Sequence, residues 1–251
     1  MRQIRLLAGA GLAALLVSLV VLLPARVAFG VIGLPPESAS GFSGTLWNGA
    51  AQRLSLAGFN LGPVRWQAQP FRLLTGQLAA TVDATLPEGF LKGSVALGFG
   101  GGIGLSDLEA AAPLSWLAPA AGPSAGGQVA ARFDRLALKG GRIQSAVGTL
   151  NVAGVVLPIP TAGPQLGPGT YSVKFDADSL GADEPLTGVL SDAGGPLEIA
   201  GTVKFTPPRS YELTGKAKPR PEAPPELRNA LQMLGPATAD GAHDLSVAGS
   251  F

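Results

Sequence analysis

In the segment QLAATVDATL, Leu78, Ala80, Val82, Ala84 and Leu86 alternate with Gln77, Thr81, Asp83 and Thr85. Successive side chains of an extended chain point to opposite faces, so this period of two predicts a half-buried β-strand. TYSVKF repeats the pattern, with Tyr171, Val173 and Phe175 inward and Ser172 and Lys174 outward. In GGQVAARF, Val129 and Phe133 share a face against Gln128, Arg132 and Asp134; the apolar phase then passes to Leu136 and Leu138. A phase slip of one residue predicts a bulge or bend near Asp134. PLEIAGTVKF sets Leu197 with Ile199 and Val203 with Phe205, and SYELTG and HDLSVAGSF read as further strands. Glycines interrupt these runs about every ten residues, which suits an antiparallel sheet running up and down. Leu78, Val82, Val129, Phe133, Val173 and Phe175 are the candidate apolar face of that sheet.

Helical periodicity is scarce. PPELRNALQMLG carries Leu227, Ala230, Leu231 and Leu234 at i, i+3, i+4 and i+7, with Pro225 placed to open a helix and Gly235 to end it. QPFRLLTG and APLSWLAP predict single helical turns between strands. Residues 119–127 (PAAGPSAGG) and 216–225 (KAKPRPEAPP) are expected to be exposed loops, the second stiff and polyproline-like. GFSGTLWNGA, residues 41–50, is expected to form the first strand and turn of the sheet. Asn48 and Gly49 supply a tight-turn signal because both accept positive φ, and Trp47 anchors the sheet to its cover.

The hydrophobic pattern changes character at the N-terminus. Residues 6–23 hold no charge, and Ser18 is their one clearly polar side chain. As a helix this run spans roughly 27 Å, close to a hydrocarbon core of about 30 Å. Arg2 and Arg5 precede it, which orients the N-terminus to the cytoplasm. A cleaved signal peptide is the alternative; its apolar region is ordinarily shorter, and LPARVAFG offers no Ala-x-Ala site. The expected organisation is a cytoplasmic tail over residues 1–5, a transmembrane helix over 6–23, a linker over 24–40 and a β-rich domain over 41–251 beyond the membrane. The fold class is therefore mainly β: one transmembrane helix, then a large curved antiparallel sheet or meander with one or two short helices.

Composition agrees. The chain has 36 glycines and 22 prolines in 251 residues, and only 14% of residues are charged, against about 25% in an average soluble protein. Setting Arg2 and Arg5 aside leaves 16 basic against 17 acidic residues, so there is no nucleic-acid footprint. With no cysteine, disulfides, thiolate metal sites and a Cys nucleophile are excluded.

Candidate chemistry is sparse. His243 is the sole histidine, expected at a strand edge on the surface; Asp240 and Asp244 flank it, but no carboxylate cluster completes a metal site. GFGGGIGLSD, residues 98–107, lacks both the P-loop ending and the dinucleotide spacing and is expected to be a hairpin loop. Asp183 to Pro185 reads as a solvated acidic turn, and KAKPR as a solvated loop or a contact for anionic lipid heads or a partner. No catalytic, cofactor-binding or metal-binding residue is predicted, and no enzyme. Trp47, Asn48, Trp66 and Trp116 are the candidate interaction or anchor residues, because tryptophan is enriched both at binding hot spots and in cores.

GFSGTLWNGAAQRLSLAGFNLGPVRW joined to QPFRLLTGQLAATVDATLP, then DAGGPLEIAGTVKFTPPRSYELTGKAKPR and ELRNALQMLG, together resemble the type II secretion system protein N (GspN) family of Gram-negative bacteria over nearly the full length. That resemblance implies a single-pass inner-membrane protein with a periplasmic domain, an accessory of the machine that exports folded proteins through the outer membrane. Its implied partners are other components of that machine. It carries over no catalytic residue. The glycine-led strand starts are also similar to AsmA-type envelope proteins, which implies the alternative of a periplasmic lipid-binding or lipid-transfer groove.

Overall fold

The period-two segments pair, each with the next, into one antiparallel sheet. The structure, a computed structural model, describes residues 22–27, 38–56, 58–117, 126–156, 169–181, 183–207, 210–232 and 235–250. Its strands begin with β1 (Ala39–Ser40), β2 (Ser43–Gly44), β3 (Asn48–Leu56), β4 (Phe59–Ala68) and β5 (Gln77–Leu86). There follow β6 (Gly89–Gly98), β7 (Gly102–Pro113), β8 (Gly126–Lys139), β9 (Arg142–Val156) and β10 (Gly169–Ala177). The last four are β11 (Leu186–Asp192), β12 (Leu197–Thr206), β13 (Ser210–Pro219) and β14 (His243–Ser250). From β3 to β14 the strands lie in chain order; β1 and β2 both pair with β3. This is the expected mainly β meander. The two helical turns between strands are 3-10 turns, Pro70–Thr75 and Leu114–Leu117, and a helix, α1, spans Pro225–Gln232.

The register lines up the apolar positions. Leu91, Ala110, Ala131, Leu150, Val173 and Leu190 face one another in turn from β6 to β11. An adjacent row runs Phe133, Gly148, Phe175, Gly188 from β8 to β11. Glycine in every second strand leaves room for rings from strands two apart. Phe133 and Phe175 stack with centroids 6.0 Å apart across β9, and Phe175 and Phe205 lie 6.3 Å apart across β11. Strand spacing alone would hold such strands roughly 9.5 Å apart. Cα atoms of β10 and β12 nonetheless approach within 8 Å, so the sheet curls there. Phe133 and Phe175 bury apolar area over glycines that have none of their own to bury, while Phe205 faces Leu186.

The expected irregularity at Asp134 is present: the β8–β9 register shifts between Phe133 and Arg135. A second bulge, on β7, has Asp107 at φ 51 and shifts the β6–β7 register between Lys92 and Ser94. Both place an extra residue in the strand and return the following apolar side chains to the inner face.

Three local expectations are corrected. Asn48 and Gly49 are not the turn but the first residues of β3; the positive φ angles fall on Gly41 and Gly44. Gly49 is needed for space, since a Cβ there would stand 2.5 Å from Trp66 Cζ2. Most of the KAKPR segment is not a loop: Lys216–Pro219 close β13, all four paired with β12 and the first two also with β14. Its alternation is the strand signal, with Lys216 and Lys218 exposed and Ala217 only 1% exposed against Leu227 and Leu231 of α1. His243, the third, is taken up below. The helix itself begins at Pro225 as expected and is described through Gln232; Gly235 lies outside it. Leu234 and most of the loop over 119–127 lie outside the described residues, as does nearly all of the transmembrane segment expected over 6–23. No helix among the described residues is long and apolar enough to cross a membrane.

Candidate functional site

The GFSGTLWNGA segment folds into a corner that clamps the start of the described chain. Thr45 N–H donates to Asn48 O at 2.9 Å and Asn48 N–H to Thr45 Oγ1 at 3.2 Å, closing the β2–β3 turn. The indole N–H of Trp66 donates to Leu46 O at 3.0 Å. Leu46 N–H in turn donates to Leu23 O at 2.9 Å, and Pro24 bridges Thr45. Ala25, 1% exposed, packs with Ala51 and Trp66, flanked by Phe42 and Val82. The end of the apolar N-terminal run is therefore seated on the sheet by a buried tryptophan and a backbone bond. Trp47 is half-buried and Asn48 exposed on the same corner. Trp47 contributes its carbonyl, which accepts from Ala68 N–H at 2.7 Å.

Trp116 is at the opposite end of the sheet. Its indole N–H donates to Asn60 O at 3.0 Å and its ring lies 4.9 Å from that of Phe59. It fastens the second 3-10 turn over the start of β4. The three tryptophans do not form one surface.

The six candidate face residues all lie on the inner face but not in one site. Val129 and Phe175 are buried; Leu78, Val82, Phe133 and Val173 are half-buried. Phe133, Val173 and Phe175 share one cluster, while Val82 and Val129 pack in others along the sheet. Beside Val173 the face opens into an apolar cleft of about 430 Å³ between β9 and β14, with Leu227 of α1 contributing to its wall. Apart from the hydroxyls of Tyr171 and Tyr211, its lining side chains are all hydrocarbon. Burial and the facing carboxylate of Asp192 raise the Tyr171 pKa above its ordinary value. The strand phases place Tyr171, Ile199 and Leu213 on this face, but nothing in the sequence pattern gathers them under Leu227.

The outer face carries a line of alternating charge. Arg65, Asp83, Lys92, Glu109 and Arg132 occupy facing positions on β4 to β8. Lys92 Nζ lies 2.9 Å from Glu109 Oε2, and Arg132 bonds the other carboxylate oxygen. The hydrogen bond from Lys92, then that from Arg132, holds the Glu109 carboxyl below its usual range.

The structure does not support the surface position expected for His243. It is 6% exposed, and its Nδ1 lies 2.9 Å from Gly235 O, so it fastens the chain leaving α1 to the first residue of β14. Asp240 is engaged by the Thr238 hydroxyl, which lowers its pKa. Among the described residues no group of three or more His, Asp or Glu could hold a metal ion. Arg220, at the end of KAKPR, pairs with Asp192 across the cleft rim.

No solved structure matches this chain. A protein of Aeromonas hydrophila named type II secretion system protein N is 28% identical over 258 residues, covering 99% of each chain. The protein of the same name from Vibrio cholerae is 28% identical over 231 residues, covering 88% of each. The family described as type II secretion system (T2SS), protein N, matches residues 36–246, and with that match spanning most of the sheet the chain belongs to this family of secretion-system components.

Proposed function

We propose that the protein is a non-enzymatic accessory of the type II secretion machine, held in the inner membrane by residues 6–23 with the sheet in the periplasm. It acts by docking other components of that machine. Family membership supports the pathway; the observation that carries the docking mode is the β14 edge. Among the described strands β14 pairs only with β13. It is eight residues long, and its sequence HDLSVAGS has no proline or lysine to blunt it. Such an edge presents unpaired backbone groups for strand addition, and Val247 beside it is 45% exposed.

Adjacent residues of a strand send their N–H groups to opposite sides. Of Ser246→Pro and Val247→Pro, one therefore breaks a bond to β13 and the other removes only an outward donor. The outward variant is expected to fold with an unchanged melting temperature yet reduce export of a folded substrate in living cells. Normal export by that stable variant, and by a Val247→Lys companion, would refute docking at this edge.

A second reading, lipid handling, is favoured by the apolar cleft beside α1. Photo-crosslinking amino acids at Val173 and Leu213 test it. Phospholipid adducts support a groove, and purely internal adducts return the cleft to the core.

A further inference from the structure

We infer that the end of the sheet nearest the N-terminal run is a lipid-contacting tip, immersed in the headgroup layer of the membrane. The inference rests on the reading of residues 6–23 as a membrane span and adds to it a second, folded point of contact.

The most exposed large apolar side chains of the described surface gather at this end; Phe90, Val189 and Val247, which lie on strands elsewhere, are 45%, 60% and 45% exposed. Phe71 is 82% exposed and Leu74 is 87% exposed, both in the first 3-10 turn; Phe99, at the β6–β7 hairpin tip, is 76% exposed. Leu97 and Ile103, facing each other where that hairpin begins, are each 42% exposed. The turn and the hairpin are tied together by the bond from Phe99 N–H to Gly76 O at 3.1 Å. The same end holds the β2–β3 corner, because Ala68, which closes β4 just before the turn, donates to Trp47 O. Leu22 is 68% exposed on that corner. At the far end of the sheet the short turns are instead built from Pro87 with Glu88 and from Asp192 to Pro196. A monomer gains nothing by holding phenylalanine and leucine in water at a turn; concentrated at one end, they mark a contact surface.

The path of the chain selects lipid as the occupant. The uncharged run ends at Leu23, and Leu23 O is itself bonded to Leu46 N–H at the sheet's end. No slack separates the two. If the run crosses the bilayer, this end must stand at the membrane surface, with Phe71, Leu74 and Phe99 at headgroup depth. Arg26, Arg72 and Lys139 are exposed near the same end. Basic side chains flanking an apolar tip suit an anionic interface, where their stems lie along hydrocarbon and their charges meet phosphate.

The absence of cysteine makes the test direct. Single Leu15→Cys, Leu74→Cys, Phe99→Cys and Glu88→Cys variants of the full chain are labelled with an environment-sensitive fluorophore. They are then reconstituted in phosphatidylethanolamine–phosphatidylglycerol vesicles, and lipids carrying quenchers at shallow or deep positions are added. Positions 74 and 99 are expected to show blue-shifted emission and loss of fluorescence with shallow quenchers. Position 15 should respond to deep quenchers and position 88 to neither. Quenching at 15 with water-like emission at 74 and 99 would overturn the tip while leaving the span intact, and would point to a protein partner. Quenching at 74 and 99 without any at 15 would keep the tip and remove the span. Unchanged melting temperatures in detergent confirm that each labelled variant is folded.

Discussion

Gly188 faces Phe175 across the β10–β11 ladder, and a Cβ on it would stand 2.6 Å from Phe175 Cε1. The glycine is not there for backbone freedom, since its φ is not positive. It leaves the space into which the ring folds, and with Gly148 it lets Phe133, Phe175 and Phe205 meet over intervening strands. Gly188→Ala should destabilise by about 1–3 kcal/mol, the usual cost of overpacking a filled site. Each kcal/mol corresponds to about 2–4 °C of melting temperature in a domain of this size. Gly100→Ala, at a hairpin tip with nothing within 4 Å, is the control and should leave the melting temperature unchanged. Equal melting temperatures for the two variants would refute this account of the glycine row.

Trp66 is the second fixed point. Replacing it with Ala removes a buried indole between Ala51 and Ala25 and should cost about 3–5 kcal/mol. Trp66→Phe keeps most of the packing but leaves Leu46 O without its indole partner, at a cost of about 1 kcal/mol. Both changes loosen the seat of residues 22–27, so limited trypsin digestion should cut at the exposed Arg26 faster than in the parent chain. An unchanged rate in Trp66→Ala would mean that the segment is held by its backbone bonds alone.

Much of this architecture could be read from the chain because alternation is a direct consequence of strand geometry. The phases of β5, β8, β10 and β12 were visible, as was the bulge at Asp134, since a slipped phase in GGQVAARFDRLALK has no other simple cause. The bulge at Asp107 carries the same signature, Ile103 and Leu105 giving way to Leu108 and Ala110, but the glycine-rich stretch before it masks the strand. The strand in KAKPR is hidden because proline and lysine dominate its composition, while the decisive residue, Ala217, is small. The burial of His243 is not legible because it depends on a carbonyl eight residues away, which no local pattern encodes. The seat of Leu23 to Ala25 on Trp66 joins residues far apart in sequence and has no periodic signal at all. A groove on the apolar face is among the sequence expectations, but its place is not legible, because the cleft arises where α1 meets the sheet and not from any one strand.

The outer charge line gives a prediction with a definite sign. Glu109 lies between Lys92 and Arg132, and its carboxyl titrates below the ordinary value because its hydrogen bonds to Lys92 and Arg132 favour the charged form. A depressed folded pKa contributes stability that is present above the unfolded value and is lost as pH falls through the folded one. Glu109→Gln should therefore differ from the parent at neutral pH and converge with it in acid. Lys92 and Arg132 are exposed and Glu109 is only half-buried, so the difference should be modest and should shrink further with added salt. Urea titrations at neutral and acidic pH, with and without salt, read this directly; a gap that widens in acid would reverse the sign and defeat the assignment.

Tyr171 supplies the opposite case, at the alkaline limit. Its ring lies in the apolar cleft facing Asp192, and burial first, then that carboxylate, raises the phenol above its ordinary 10.0. Here the folded state retains a proton that the unfolded chain begins to lose near pH 10. The contribution is complete below that point and falls away as pH climbs toward and through the raised folded value. Tyr171→Phe preserves the ring and removes the titration, so its stability should decline less steeply than that of the parent from about pH 10 upward. Lysines and arginines titrate in both proteins, and the difference between the two curves isolates the phenol. Parallel curves would place the Tyr171 hydroxyl in water and not against the apolar lining of the cleft.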